Sequence, residues 1–133
     1  MTTEPLSLDE AHDWCADPGV GGIVVFTGTV REHAEGRAVD GLTYEAYEEL
    51  ARERLAVLAE SLAARDGVVA VWLAHRTGAL EVGEVAVVAA VSAGHRPEAF
   101  ATCRDAIDRL KAEVPIWKQE HWADGGSHWP GTT

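Results

Sequence analysis

The chain keeps only two lysines among its eleven basic residues, and both lie in one short stretch. Lys111 and Lys118 flank Pro115 in Leu110–Glu120 (LKAEVPIWKQE), while the other nine basic residues are all arginine. A lysine releases its proton when burial or neighbouring cations lower its pKa; an arginine does not. Two lysines kept together in an arginine-using chain therefore point to chemistry that a guanidinium cannot perform. Each also has a plainer reading. Lys111 falls in the last turn of a helix, where a cation is favoured and its stem can lie along apolar surface. Lys118 can be a charge guarding an edge strand. A second cluster, Gly94-His95-Arg96-Pro97, lies between an apolar strand and the start of a helix. Free backbone N–H groups there favour an anion, and an imidazole and a guanidinium add donors suited to phosphate or carboxylate. The competing reading pairs Arg96 with a surface acid and leaves His95 as a cap. Arg31 closes a third segment, Phe26–Arg31 (FTGTVR), at the end of a strand.

Several chemistries are excluded. There is no Walker A sequence, no GxSxG elbow, no HExxH and no CxxC. The Gly19–Gly22 cluster precedes a strand, and Val24 stands where a dinucleotide fingerprint needs its last glycine. The six histidines lack zinc-ligand spacing, so neither a metal nor a cofactor is expected. Cys15 and Cys103 are far apart and read as core thiols. With 22 acidic residues and a net charge of −11, the chain is a poor partner for nucleic acid or anionic membrane. Its 133 residues suit a single domain, 1–133, and its 47% hydrophobic and 25% charged content is that of a globular protein. The longest apolar runs have seven residues, and the acidic start MTTEPLSLDE has no signal core. A cytoplasmic location is expected.

Hydrophobic periodicity supplies the elements that must hold these residues. Ser7 caps a short helix over 8–16, and 23–30 is a β-branched strand. The polar stretch 31–40 reads as a mobile loop, followed by a strand at 42–47. Ala51, Leu55, Leu58 and Leu62 mark a helix over 48–65, with Glu48 and Arg52 paired at i,i+4. Strands at 68–75 and 84–93 are apolar on both faces and are joined by a glycine loop that permits antiparallel pairing. Pro97 suits the first position of a helix that Pro115 ends, and 116–122 is a last strand before a turn-rich tail. Alternation puts Lys118 and Glu120 on one face of that strand and Trp117 on the other. This order predicts an α+β fold, a two-layer sandwich of helices on a mostly antiparallel sheet, with a ferredoxin-like arrangement as the alternative.

Together the segments resemble the large, catalytic subunit of molybdopterin synthase, the MoaE family. The matching pieces are FTGTVR at 26–31, LTYEAY at 42–47, HRTGALEVGE at 75–84, SAGHRPEAF at 92–100 and LKAEVPIWKQE at 110–120, in order from Gly21 to Trp122. The resemblance implies an α/β-hammerhead fold. It implies a sulfurtransferase that converts cyclic pyranopterin monophosphate into molybdopterin, in molybdenum cofactor biosynthesis. The sulfur would arrive as a thiocarboxylate on the C-terminal Gly-Gly of a small ubiquitin-like carrier subunit. Two large subunits would form a homodimer with a carrier at each end, a heterotetramer. Carried over by position, Arg31, His95 and Arg96 would hold substrate phosphate and pterin, His95 and Arg96 across the dimer interface. Lys111 would meet the carrier's terminal glycine and take part in sulfur transfer. Lys118 would contact substrate and assist proton transfer or charge stabilisation. Thr29, Val30, Gln119 and Glu120 would line the site. With no ubiquitin-like segment of its own, the chain is expected to be the acceptor rather than the carrier. Thr29 stands where many relatives carry a basic residue, and Ser127-His128-Trp129 matches the family ending only loosely.

Two other classes fit part of the pattern. A non-catalytic α+β module that binds a small anion or a protein explains His95 and Arg96 but leaves the lysine pair to chance. A phosphoryl- or acyl-transfer enzyme would use Arg31 and His95 directly on a phosphate.

Overall fold

The computed structural model describes residues 1–130. In chain order the elements are α1 (Leu8–Cys15), β1 (Gly22–Thr29), β2 (His33–Ala34), β3 (Arg37–Ala46), α2 (Glu48–Ala63) and β4 (Val68–His75). They continue with β5 (Gly78–Glu81), β6 (Val85–Ala93), α3 (Arg96–Glu113), β7 (Ile116–Trp122) and β8 (Ser127–His128). The last three residues of the turn-rich tail, 131–133, lie outside the described residues.

Two antiparallel sheets organise the molecule. The first has the order β1-β6-β4. Its central strand explains the uninterrupted apolar sequence of Val85–Val91, because both faces are covered. Val87, Ala89 and Val91 pack under α2 and α3 with Leu55, Leu58, Leu62, Ile107 and Leu110. Val88 and Ala90 face the other way, onto Ala11 and Cys15 of α1. The α+β expectation therefore holds, with α1 as a further layer behind the sheet. In the second sheet β3 is flanked by β7 on one side and β5 on the other, with β2 and β8 extending the ends. Val30, Leu42, Leu80 and Ala86 close the joint between the sheets. Splitting the strands into two sheets removes the ferredoxin-like alternative.

Local signals act as read where burial backs them. Ser7 accepts a hydrogen bond from the Glu10 N–H at 3.1 Å, and Glu48 lies 3.7 Å from Arg52. The helix over 48–65 ends earlier, at Ala63. The last helix opens on Arg96, so Pro97 is its second residue rather than its first. The stretch 31–40 is not a loop. It holds β2 and the first part of β3, turning at Glu35 and Gly36 with φ of 51° and 76°. A two-residue turn with both φ positive matches the twist of a hairpin. The sequence conceals it because only Val39 among 31–40 is buried, so no alternation shows. The glycine loop before β6 likewise contains β5, whose one buried side chain is Leu80.

Cys15 and Cys103 are both free thiols. They pack on opposite faces of the first sheet, which keeps them from bonding.

The start of β1 sits tightly against the turn that precedes α3. A Cβ on Gly21 would fall 2.2 Å from the Gly94 carbonyl oxygen, and the Gly21 N–H already donates to the Ala93 carbonyl at 3.0 Å. Gly21→Ala is expected to cost about 1–3 kcal/mol, typical of overpacking, read as a lower urea midpoint at unchanged slope. A wild-type midpoint would show that this turn shifts freely.

Candidate active site

A cavity of about 280 Å³ opens where the two sheets meet the C-terminal end of α3. Four of the residues singled out in the sequence line it: Thr29, Arg31, Lys111 and Lys118. Phe26, Val87, Ile107 and Leu110 form its apolar floor, and Tyr44 and His75 complete its polar wall.

Each cation is placed by a different element. Lys111 stands in the last turn of α3, next to the buried Leu110. The helix stops at Glu113, and β7 starts at Ile116 on the far side of Pro115. Lys118 then lies opposite Tyr44 in the β3–β7 ladder, on the inward face shared with Glu120 and Leu42. The break at Pro115 thus brings two lysines seven residues apart to one cavity. Thr29 and Arg31 come from the end of β1, where the register to β6 slips between Gly28 and Thr29. Such an irregularity bends the strand and re-aims its side chains. Gly28 permits the close approach, since a Cβ there would lie 2.5 Å from Val87 Cγ1.

Charge pairing separates these residues from the rest of the chain. Arg37, Arg52, Arg65, Arg76, Arg104 and Arg109 each lie beside a carboxylate. Arg54 donates to the Glu113 carbonyl. Among the described residues the four other basic side chains, Arg31, Arg96, Lys111 and Lys118, have no carboxylate partner. A chain with twice as many acids as bases leaves unpaired the four cations that its sequence singles out. The surface acid that would have made Arg96 structural is not there, and His95 makes no side-chain cap to α3.

The remaining polar groups are neutral. His75 is 4% exposed, and burial pushes its pKa down to about 4, so the ring is uncharged at neutral pH. Its Nδ1 lies 2.7 Å from the Arg76 carbonyl, and its ring meets Tyr44 edge-on at 4.7 Å. Burial, and then the nearby Glu120 charge, raise the Tyr44 pKa, which keeps its hydroxyl protonated.

Other expected members lie elsewhere. Val30 is no part of the wall: it is 4% exposed and packs into the joint between the sheets. Gln119 faces away from Lys118, as strand alternation requires, and donates to Ser127 Oγ at 2.8 Å. Glu120 is buried on the inward face opposite Leu42 and does not line the cavity. His95 and Arg96 are exposed at the opposite end of α3. Fifteen residues separate Arg96 from Lys111, about 22 Å along a helix, so the two ends cannot meet on one ligand within one chain. Tyr44 and His75 went unnoticed in the sequence. Tyr44 carries a faint signal, alternating with Leu42 and Ala46, but its place beside Lys118 depends on strand register. His75 ends an apolar run and shows no spacing to any other polar residue. No cluster of metal-ligating side chains occurs among the described residues.

Fold and site define an α+β protein with a cationic cavity over an apolar floor. A family model described as "MoaE protein" matches residues 1–113. The chain belongs to the MoaE family. It is 45% identical over 130 residues to the molybdopterin synthase catalytic subunit of Nostoc sp., covering 97% of this chain and 79% of that one. It is 44% identical over 132 residues to catalytic subunit 1 of Mycobacterium tuberculosis, covering 98% and 88%. The crystal structure of molybdopterin synthase from Staphylococcus aureus superposes with a TM-score of 0.90 at 37% identity, over 98% of this chain and 94% of that one.

The buried imidazole makes stability depend on pH. Its folded pKa of about 4 lies below the ordinary 6.5, so between those values the unfolded chain takes up a proton that the folded chain refuses. The contribution is complete above pH 6.5 and is lost as pH falls towards 4, amounting to about 3 kcal/mol. Urea unfolding at pH 7 and pH 4.5 should show a smaller loss for His75→Gln than for wild type. Equal losses would mean that His75 is not held neutral.

Proposed function

We propose that this chain transfers sulfur from the C-terminal thiocarboxylate of a small ubiquitin-like carrier to cyclic pyranopterin monophosphate, forming the dithiolene of molybdopterin. The reaction would take place in the cytoplasm. The observation that carries this reading is the set of unpaired cations at one cavity in a strongly acidic protein. A phosphate-bearing heterocycle supplies the missing negative charge, and the floor of Phe26, Val87 and Ile107 suits its ring. Family membership, with relatives that are molybdopterin synthase catalytic subunits, supports this chemistry over phosphoryl or acyl transfer.

In this reading Arg31 binds phosphate at the mouth of the cavity. Lys111 receives the carrier's terminal glycine and assists release of its sulfur. Lys118 stabilises charge, or moves a proton, on the substrate. Thr29 contacts substrate beside Arg31. His95 and Arg96 serve the cavity of a second copy, which the length of α3 supports. The partner surface is also suggested by the first sheet. Among the described residues β1 pairs only with β6, and Phe26 of β1 and Phe100 of α3 are exposed. An apolar cleft lined by Val24, Phe26, Phe100 and Cys103 shares Phe26 and Ile107 with the cationic cavity. A second copy seated there would stand next to the site.

Lys111→Arg tests the lysine chemistry. It keeps the charge and should leave the melting temperature nearly unchanged, since an exposed substitution usually costs less than about 0.5 kcal/mol. Dithiolene formation with thiocarboxylated carrier should nevertheless fall by at least about a hundredfold, the low end of what a positioned proton-transfer group contributes. Near-normal turnover would show that positive charge alone suffices.

Sharing of the site has its own test. Lys111→Ala and Arg96→Ala should each be inactive as pure proteins. Unfolded and refolded together, they should regain about a quarter of wild-type activity, because half of the randomly formed dimers are mixed and each mixed dimer has one intact site. No recovery would place Arg96 outside the site.

A further inference from the structure

We propose that His75 is a substrate-binding residue of the cationic cavity, accepting at its bare Nε2 a hydrogen bond from an N–H of the heterocycle whose phosphate the basic residues hold. This rests on the reading of the cavity as the pyranopterin site. The tautomer follows from geometry. A carbonyl oxygen only accepts, so the 2.7 Å contact to the Arg76 carbonyl puts the ring proton on Nδ1. In a neutral ring Nε2 is then a lone pair. Burial keeps the ring neutral, and the edge-on contact with Tyr44, at an interplanar angle of 83°, holds its plane.

Among the described residues no donor is bonded to His75 Nε2. The buried polar atoms left without partners are Arg76 Nε, Ser92 Oγ, Glu98 Oε2 and His128 Nε2, so His75 Nε2 is not sealed away from the cavity it lines.

The rest of the wall explains why an acceptor matters. Arg31, Lys111 and Lys118 can only donate, and no carboxylate reaches the wall. The hydroxyls of Thr29 and Tyr44 can turn either way. A reduced pterin carries several ring and amino N–H groups as well as its phosphate. Each N–H taken out of water needs an acceptor, and among the described side chains of this wall His75 is the one whose free polar atom can only accept. It would select a ring with N–H at that edge over an analogue without it.

The test compares wild type, His75→Phe and His75→Gln as full chains with thiocarboxylated carrier. His75→Phe keeps a ring against Tyr44 but removes the acceptor. Its KM for cyclic pyranopterin should rise by about tenfold, the effect of one lost hydrogen bond, with kcat within about twofold. His75→Gln, whose Oε1 can accept, should recover most of that loss. Inhibition by inorganic phosphate, which reads only the cations, should be the same in all three. An unchanged KM in His75→Phe, or a parallel loss of phosphate inhibition, would overturn the proposal. Should His75→Phe fail to fold, nitrogen NMR of the wild type decides. The His75 Nε2 signal should move on adding the pterin without carrier and stay in place with inorganic phosphate; no movement with pterin would refute the role. A wild type that shows this movement but makes no dithiolene would instead refute the proposed reaction and leave His75 in place.

Discussion

Like charges gathered around one small cavity repel one another, and among the described residues no carboxylate pairs with them. At 4 Å such a repulsion costs about 1 kcal/mol in bulk water and about 4 kcal/mol at the dielectric typical of a protein surface. Carboxylates are abundant here, yet they neutralise arginines elsewhere. Arg109 and Arg104 pair along α3, Arg65 reaches Asp105, and Arg76 reaches Glu84. Glu120, the one buried acid among the described residues, stands opposite Leu42 in the β3–β7 ladder, where its charge helps raise the Tyr44 pKa without lining the cavity. The cavity therefore keeps its positive potential inside an acidic protein. Net charge describes the surface that distant partners meet, whereas the local pattern decides what enters the site.

Two rigid connections maintain that pattern. One is the β3–β7 ladder, which fixes Lys118 beside Tyr44 through backbone pairing that side-chain changes do not easily shift. The other is α3, anchored by Cys103, Ala106, Ile107 and Leu110 against the first sheet. The helix delivers Lys111 to the cavity at one end and exposes His95 and Arg96 at the other. A straight helix of this length keeps its two ends apart, and under the proposed function a two-fold assembly would let each end serve a different site.

The polar wall divides by protonation. Arg31 and Lys111 are exposed and Lys118 is half-buried, while the imidazole is buried and neutral. Charged donors suit a phosphate, and neutral acceptors suit ring nitrogens that carry hydrogen. Under the proposed function, burial would let one small cavity address two parts of an amphoteric ligand.

The sequence by itself determined the elements marked by helical periodicity, by strand alternation or by an unbroken apolar run: α2, α3, β4, β6 and β7, each within one or two residues. It also marked Arg31, Arg96, Lys111 and Lys118, since residue type and placement at element ends are local properties. What it could not show were elements held together by pairing rather than burial. β2, β5 and β8 contribute almost no apolar side chains, and their existence depends on partners distant in sequence. The same limit hid Tyr44 and His75, which belong to the cavity only through strand register and the meeting of two sheets. It also placed Gln119 and Val30 in the site, where strand alternation and core packing turn them away. Only the tertiary structure decided which cations lack a carboxylate partner, because pairing depends on distances between groups as far apart in sequence as Arg37 and Asp124.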